Sequence, residues 1–198
     1  IFGAEELVKK RLAMFKTHGF KVAYCSTLDA VAIAAEMGFE IHGGFALNVF
    51  NSFTAAFLES LGVKGITLSP ELKLSQIEKI SSQAQRGIIA YGRLPLMLTR
   101  NCPVKNGRDC EDCKGMGYLT DRMNKKFPVV CSFGCSEVLN SQPIYMADRL
   151  GEIKNVDFLT LYFTREKKEI VEAITDAYRK GKAVKGDYTR GLYYRGAE

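Results

Sequence analysis

The chain has 198 residues, of which 46% are hydrophobic and 25% charged, and its net charge is +6. This composition is typical of one globular domain with a single core. No apolar run approaches the roughly 18 residues of a membrane span. No targeting segment precedes the first helical pattern, so we expect no membrane association and a cytoplasmic location.

The positive charge is compatible with RNA as a partner, because phosphate contacts need Lys and Arg. Basic residues concentrate modestly over 105–108, 122–126 and 179–195 and are otherwise spread along the chain. A solvated basic surface is therefore the alternative interpretation.

Apolar spacing and capping residues predict helices and strands in alternation. A helix over residues 4–18 is followed by a strand over 20–25 and a helix from Ser26 or Thr27 to about Met37. The later elements are strands over 39–42, 65–68, 88–91 and 158–163, and helices over 52–61, 75–85 and 165–180. Ser75 and Glu78 predict a capping box, and the predicted buried face of the last helix consists of Ile170, Ala173, Ile174 and Ala177.

Strands that alternate with helices predict an α/β fold with a parallel sheet. Five such units are fewer than the eight of a complete barrel, which takes about 250 residues. The chain also begins without Met. We therefore interpret residues 1–198 as the C-terminal part of a (β/α)8 TIM-like barrel, with the remaining part of the barrel in the parent chain as its expected partner.

Five of the six cysteines fall within residues 92–150, where glycines, prolines and charges predict loops without a core. Thiolate ligation can make such a segment rigid, so we expect a cysteine-rich metal-binding insertion. A zinc ribbon would use Cys110, Cys113, Cys131 and Cys135. An iron–sulfur cluster would use Cys102, Cys110, Cys113 and Cys131. The paired spacing slightly favours zinc, and free thiols or disulfides are the remaining alternative.

Polar residues follow the predicted strands, at the edge where barrel enzymes carry their active sites. His42 is a candidate catalytic or substrate-binding residue, or a hydrogen-bonded loop histidine. Asn48 and Asn51 present amides to a substrate or cap the next helix. Glu71 falls in the first turn of a predicted helix, where the helix dipole stabilises a carboxylate. Arginines beside the cysteines are candidate ligands for a carboxylate or phosphate: Arg93, Arg100 and Arg122.

Four separated motifs carry a resemblance to a known family. Tyr91–Met97, Arg100–Val104, Leu119–Arg122 and Ser136–Ser141 occur in the order found in the collagenase-like peptidase family U32. Leu47–Ser52, Ser69–Leu72 and Thr189–Gly196 also look like segments of this family, so the resemblance extends over nearly the whole chain. The resemblance implies the same barrel fold, and it makes Glu71 a candidate acid or ligand contact.

The resemblance also changes the expected cofactor. Some members of the family look like iron–sulfur proteins, and Cys102 belongs to a shared motif. A 4Fe-4S cluster on Cys102, Cys110, Cys113 and Cys131 is therefore favoured over zinc, with Cys135 as the alternative fourth ligand. One departure is that several cluster-bearing relatives have a cysteine where this chain has residues 93–95.

Two activities follow from the resemblance. The family name implies proteolysis, with collagen as a substrate class, but the chain has no serine elbow, no zinc-binding His-Glu-x-x-His helix and no evident pair of catalytic aspartates. Other relatives look like oxygen-independent hydroxylases of RNA bases or quinone precursors, with prephenate as the oxygen source for RNA. We expect an iron–sulfur enzyme that hydroxylates an RNA base. A peptidase acting on a peptide substrate, or a non-catalytic RNA-binding module, is the alternative.

Overall fold

The computed structural model describes residues 3–105, 116–132 and 134–195. The chain forms two compact units: a first unit of Ile1–Ala90, Arg149–Thr160 and Arg190–Glu198, and a second unit of Tyr91–Asp148 and Leu161–Thr189. Among the described residues, no helix is long and apolar enough to cross a membrane.

The strands are β1 Val22–Cys25, β2 Glu40–Gly43, β3 Val63–Thr67, β4 Gln85–Gly92, β5 Pro95–Thr99, β6 Met116–Thr120, β7 Lys126–Ser132, β8 Cys135–Leu139, β9 Ile144–Tyr145 and β10 Phe158–Tyr162. The α-helices are α1 Glu5–Thr17, α2 Leu28–Glu36, α3 Ser52–Ser60, α4 Leu74–Ile77 and α5 Lys168–Lys180, and short 3₁₀ helices cover Phe45–Leu47 and Ala147–Glu152.

The first unit is built on a parallel sheet. Its strand order is β1-β2-β3-β4-β10, and β1 to β4 pair in parallel. The amide of Asp157 donates to the carbonyl of Arg86, and the ring of Phe158 covers Gly87, so β10 advances along β4 in the same direction. Ile88 and Ile89 are fully buried, as expected for a sheet covered on both faces. The predicted α/β fold with a parallel sheet is confirmed.

Two predicted helix starts are confirmed by their side-chain caps. The hydroxyl of Thr27 accepts a hydrogen bond from the amide of Ala30 at the start of α2. Asn51 Oδ1 accepts from the amide of Thr54, 2.9 Å away, at the start of α3. Each cap satisfies one of the amides that the first helical turn leaves without a backbone partner.

The predicted helix over residues 75–85 is wrong, because α4 ends at Ile77. The chain that follows is held by tertiary hydrogen bonds instead of helical ones: Glu59 Oε1 accepts from the Ser82 hydroxyl and from the amides of Gln83 and Ala84. Ser75 is not a cap either, since α4 begins at Leu74.

The prediction for the buried face of α5 is half right. Ile174 and Ala177 are buried against Tyr91 and Tyr145, whereas Ala173 and Ile170 are exposed. Fewer residues of α5 are buried than its apolar pattern predicts. Tyrosine side chains fill the space around Ile174 and Ala177. The ring of Tyr145 stacks on Tyr188 at 4.6 Å and meets Tyr178 edge to face at 5.6 Å.

The predicted absence of a core in residues 92–150 is wrong for the described part of that segment. A four-stranded antiparallel sheet in the order β5-β8-β7-β6 forms there. Val129, Val138 and Leu139 are buried on it. The strands alternate inward and outward side chains, so polar and charged residues occupy one side of a strand without preventing burial on the other.

Candidate functional site

The second unit brings two of the predicted ligand cysteines together. Cys131 in β7 pairs with Ser136 in β8, and the Cys131 Sγ to Ser136 Oγ distance is 3.3 Å. The thiol of Cys102, in the loop after β5, lies near both side chains, since its pKa is lowered by the Val104 backbone and, to a smaller extent, by Ser136 and Cys131. Cys102, Cys131 and Ser136 therefore form one cluster, called here the thiol cluster.

The loop that carries Cys102 folds back onto the antiparallel sheet. A Cβ on Gly117 in β6 would lie 2.8 Å from a methyl group of Val104, so Val104 rests directly on this glycine. The Val104 backbone lowers the pKa of the Cys102 thiol by hydrogen bonding, with smaller contributions in the same direction from Ser136 and Cys131. Hydrogen bonds to the charged form favour it, so the loop promotes the thiolate that a metal requires.

Cys135 has a different position from Cys131. It pairs with Ser132 across β7 and β8, one step nearer the turn than the Cys131–Ser136 pair. Because side chains alternate along a strand and directly paired residues share a face, Cys135 and Cys131 project from opposite faces of the sheet. Cys131 is thus the one that shares a face with Cys102.

Cys110 and Cys113, predicted as further ligands, lie outside the described residues. Within residues 3–105, 116–132 and 134–195, no three His, Cys, Asp or Glu side chains are grouped closely enough to hold a metal ion. Cys25 is buried in β1, where burial raises the pKa of its thiol, and its Sγ lies 3.5 Å from the Ala30 carbonyl. Cys25 therefore belongs to the core, as the apolar strand predicts.

The arginines beside the cysteines have unequal environments. Arg93 donates from Nη1 to the backbone carbonyls of Asn140 (2.9 Å) and Ser141, and so fastens the loop after β8. Arg100 and Arg122 are exposed. The substrate-binding role of the three arginines stays a prediction, and Arg93 has a structural role in addition.

In the first unit, His42 lies on the face of the parallel sheet that also carries its register partners Tyr24 and Gly65. His42 Nε2 is 3.0 Å from Glu40 Oε1. The imidazole covers Gly65 so closely that a Cβ there would lie 2.5 Å from Nδ1. His42 is therefore a partly buried, hydrogen-bonded histidine.

The remaining predicted site residues are at the surface. Asn48 adopts a left-handed conformation (φ 51°) at the end of the 3₁₀ helix, and its side chain is exposed. Asn51 uses its side chain to cap α3. Glu71 is exposed and lies three residues before Leu74, the first residue of α4, so its predicted place in the first turn of a helix is wrong. Its amide donates to the Ser69 hydroxyl.

The sequence does not identify Ser136 as a member of the thiol cluster or Glu40 as the partner of His42. In the sequence Ser136 is only part of a motif, because its contact with Cys131 depends on the register of two strands that the local pattern does not predict. Glu40 lies two residues before His42, and this spacing on a strand is a local signal that identifies the pair. Thr67 is fully buried, and its hydroxyl has no hydrogen-bond partner among the described residues.

Comparison with known proteins identifies the family. The model of the family described as "Peptidase family U32" matches residues 4–182. The chain therefore belongs to peptidase family U32. No significant match was found among curated proteins or among solved structures.

Proposed function

We propose that this chain is part of an iron–sulfur enzyme that hydroxylates an RNA base without using molecular oxygen. The observation that carries the proposal is that the loop of Cys102 packs, through Val104 on Gly117, on the face of the antiparallel sheet that carries Cys131 and Ser136, whose side chains are 3.3 Å apart. Two adjacent thiols, one with a lowered pKa, fit half of a four-thiolate ligand set. Cys110 and Cys113 are the proposed other half.

The choice between an iron–sulfur cluster and zinc depends on which cysteine, Cys102 or Cys135, lies beside Cys131. The ligand set of the zinc ribbon leaves out Cys102 and requires Cys131 and Cys135 to bind one ion. The register of β7 and β8 directs these two side chains to opposite faces, whereas Cys102 and Cys131 share one. The geometry thus favours the set that includes Cys102, and Cys135 becomes the weaker candidate for the fourth position.

When bound, a 4Fe-4S cluster would supply the electron-transfer chemistry that the amino acids lack. Cys102 and Cys131 would hold it, and the Ser136 hydroxyl, 3.3 Å from the Cys131 sulfur, would hydrogen-bond a ligating sulfur and tune its charge. Arg100 follows β5 and precedes Cys102 by two residues, and its exposed guanidinium is the proposed contact for an anionic oxygen donor.

The family description favours a peptidase as the second candidate. Proteolysis requires an activated nucleophile or water. The His42–Glu40 pair would serve as the base, but among the described residues no hydroxyl or thiol is hydrogen-bonded to His42. Cys25 hydrogen-bonds to backbone carbonyls, and burial raises the pKa of its thiol, which opposes the thiolate. We therefore rank the peptidase, like a non-catalytic RNA-binding module, below the hydroxylase.

We also propose that the parallel sheet belongs to a (β/α)8 barrel completed by another part of the parent chain. No described strand pairs with the outer edge of β1. Val22 and Tyr24 on that strand are about half exposed, and α1 buries no residue. Burial of this apolar surface by a preceding strand and helix would complete the sheet. The test is hydrogen exchange at the β1 amides. Exchange should be slower in the parent protein than in residues 1–198 alone.

The activity is tested by RNA mass spectrometry on cells that lack the parent protein. The hydroxylase proposal predicts the loss of one hydroxylated base in ribosomal or transfer RNA, restored by the wild-type gene but not by a Cys102→Ser gene. A Cys25→Ser gene is the matched control, because that cysteine lies in the core. If the RNA is unchanged and the metal-free parent protein cleaves gelatin, the peptidase is correct.

A further inference from the structure

The turn between β6 and β7 is a rigid protrusion of the second unit. Asp121 Oδ1 accepts hydrogen bonds from the amides of Met123 and Lys125, both at 2.8 Å, and Asn124 takes the left-handed conformation (φ 59°) that closes the turn. The backbone of Asp121 also exchanges hydrogen bonds with Asn124 and Lys125. We call residues 121–126 the hairpin tip.

The hairpin tip presents three cations and one carboxylate. The carboxylate of Asp121 accepts hydrogen bonds from backbone amides and, in the described part of the chain, forms no ion pair with the three neighbouring cations. Three positive charges and one negative charge give the tip a net charge of +2. Arg122, Lys125 and Lys126 are exposed, and no carboxylate among the described residues pairs with them. Cations on α5 differ, since Lys168 and Lys180 each face an acid one helical turn away. The tip therefore concentrates positive charge, and the side chain of Met123 between the cations is 71% exposed.

An arginine stacked on an aromatic ring continues this surface along the hairpin. The guanidinium of Arg165 lies 4.5 Å from the centre of the Tyr118 ring, and its Nη1 donates to the carbonyl of Gly117 at 3.2 Å. Tyr118 pairs with Pro128, and Thr120 pairs with Lys126. Tyr118 and Lys126 therefore stand on the same face of the hairpin, and the Tyr118 side chain is half exposed.

We propose that the hairpin tip and the Tyr118–Arg165 pair form a docking surface for single-stranded RNA. Unpaired cations bind phosphates, and a guanidinium plane beside an aromatic ring is the kind of platform on which an unpaired base stacks. Strand β7 carries Lys126 at one end and Cys131 five residues on, a separation of about 16 Å at 3.3 Å per residue, and this odd spacing places the two side chains on opposite faces of the sheet. RNA held at the tip would therefore reach the thiol cluster by passing around the edge of the sheet at β6. This inference rests on the proposed function for its choice of RNA.

The test measures binding of the full-length parent protein to a fluorescently labelled 20-nucleotide polyuridine RNA at several salt concentrations. The variant is Lys125→Ala with Lys126→Ala, and the control is Lys168→Ala with Lys180→Ala, which removes the same total charge from α5. We expect the hairpin variant to bind more weakly and to lower the slope of log affinity against log salt by about 2, one for each lost phosphate contact. The control should retain the wild-type slope.

Equal effects of the two double variants would overturn the inference, because they would show that only net charge matters. Preserved RNA binding by the hairpin variant, with weaker binding to anionic lipid vesicles, would overturn it in favour of a membrane surface. The proposed function fails separately. If Cys102→Ser abolishes the RNA modification while the hairpin variant binds as wild type, only the docking surface is wrong. If no base is modified but the hairpin variant loses affinity, only the hydroxylase is wrong.

Discussion

The thiol of Cys131 lies 3.3 Å from the hydroxyl of Ser136, its partner across β7 and β8, and Cys102 reaches the same pair from a separate loop. Cys102 is far from Cys131 and Ser136 in the sequence. Its position beside them therefore depends on both the register of β7 with β8 and the fold of the loop. The loop is fixed in turn by Val104 against Gly117. The candidate site is thus part of the packing of the second unit.

Replacing Gly65 by Ala should destabilise the first unit. A methyl group there would lie 2.5 Å from His42 Nδ1, so the imidazole has to move and its contact with Glu40 is strained. Overpacking of this kind typically costs about 1–3 kcal/mol, measured here as the free energy of unfolding in urea. Gly151→Ala is the control, because its Cβ meets nothing within 4 Å. Equal stability of the two variants would mean that His42 is not packed on Gly65.

Replacing Asn51 by Ala should remove the cap of α3. The amide of Thr54 then loses its side-chain acceptor, and such losses typically cost about 1 kcal/mol. Asn51→Asp keeps an acceptor oxygen and should retain most of the stability in thermal unfolding. A substrate-binding role alone for Asn51 would give the opposite result: unchanged stability in both variants and a loss of activity.

Replacing Arg93 by Lys tests whether its structural role dominates. One Nη1 atom donates to the carbonyls of Asn140 and Ser141, and the shorter ammonium group of lysine does not reproduce this geometry. We expect a loss of about 1 kcal/mol in the free energy of unfolding, the typical net contribution of a hydrogen bond, because the two acceptors are only partly buried. Arg100→Lys, at an exposed position, should leave stability unchanged. A stable Arg93→Lys protein with weaker anion binding would assign Arg93 to the substrate instead.

The stability of the first unit should fall in acid through Glu59. Hydrogen bonds from the Ser82 hydroxyl, and from the amides of Ala84 and Gln83, lower the pKa of this carboxyl. A depressed pKa contributes stability above the pKa of the unfolded chain, and that contribution is lost as the pH falls through the folded value. Glu59→Gln should therefore be less stable than wild type at pH 7, and the difference should shrink below about pH 4.3. A difference that is constant with pH would contradict this account, and Glu172→Gln, on the exposed face of α5, is the control.

The sequence predicts elements whose signals are local. Thr27 and Asn51 cap helices in place, because a cap needs only an oxygen and an amide three residues later. The helix over 75–85 could not be corrected from the sequence, since Glu59 holds Ser82 to Ala84 from more than twenty residues away. The sequence does not predict the antiparallel sheet for a related reason: Pro128 and Gly117 weaken the strand pattern locally, although the pairing of β6 with β7 includes both residues.

The same distinction between local signals and long-range contacts applies to the candidate site. The cysteines were found from the sequence because thiols are few and their spacing is visible there. The sequence does not distinguish Cys131 from Cys135 as a ligand, since a shift of one residue in strand register moves every side chain to the opposite face. The contact of Cys131 with Ser136 resolves which of the two shares a face with Cys102.

The central claim is that Cys102 and Cys131 ligate one iron–sulfur cluster, and the most direct measurement is the iron, sulfide and zinc content of the parent protein purified without oxygen. We predict about four irons and four sulfides per chain in the wild type and in Cys135→Ser. Cys102→Ser and Cys131→Ser should each lose the cluster and its visible absorbance. Zinc in place of iron, retained in Cys102→Ser and lost in Cys135→Ser, would contradict the account.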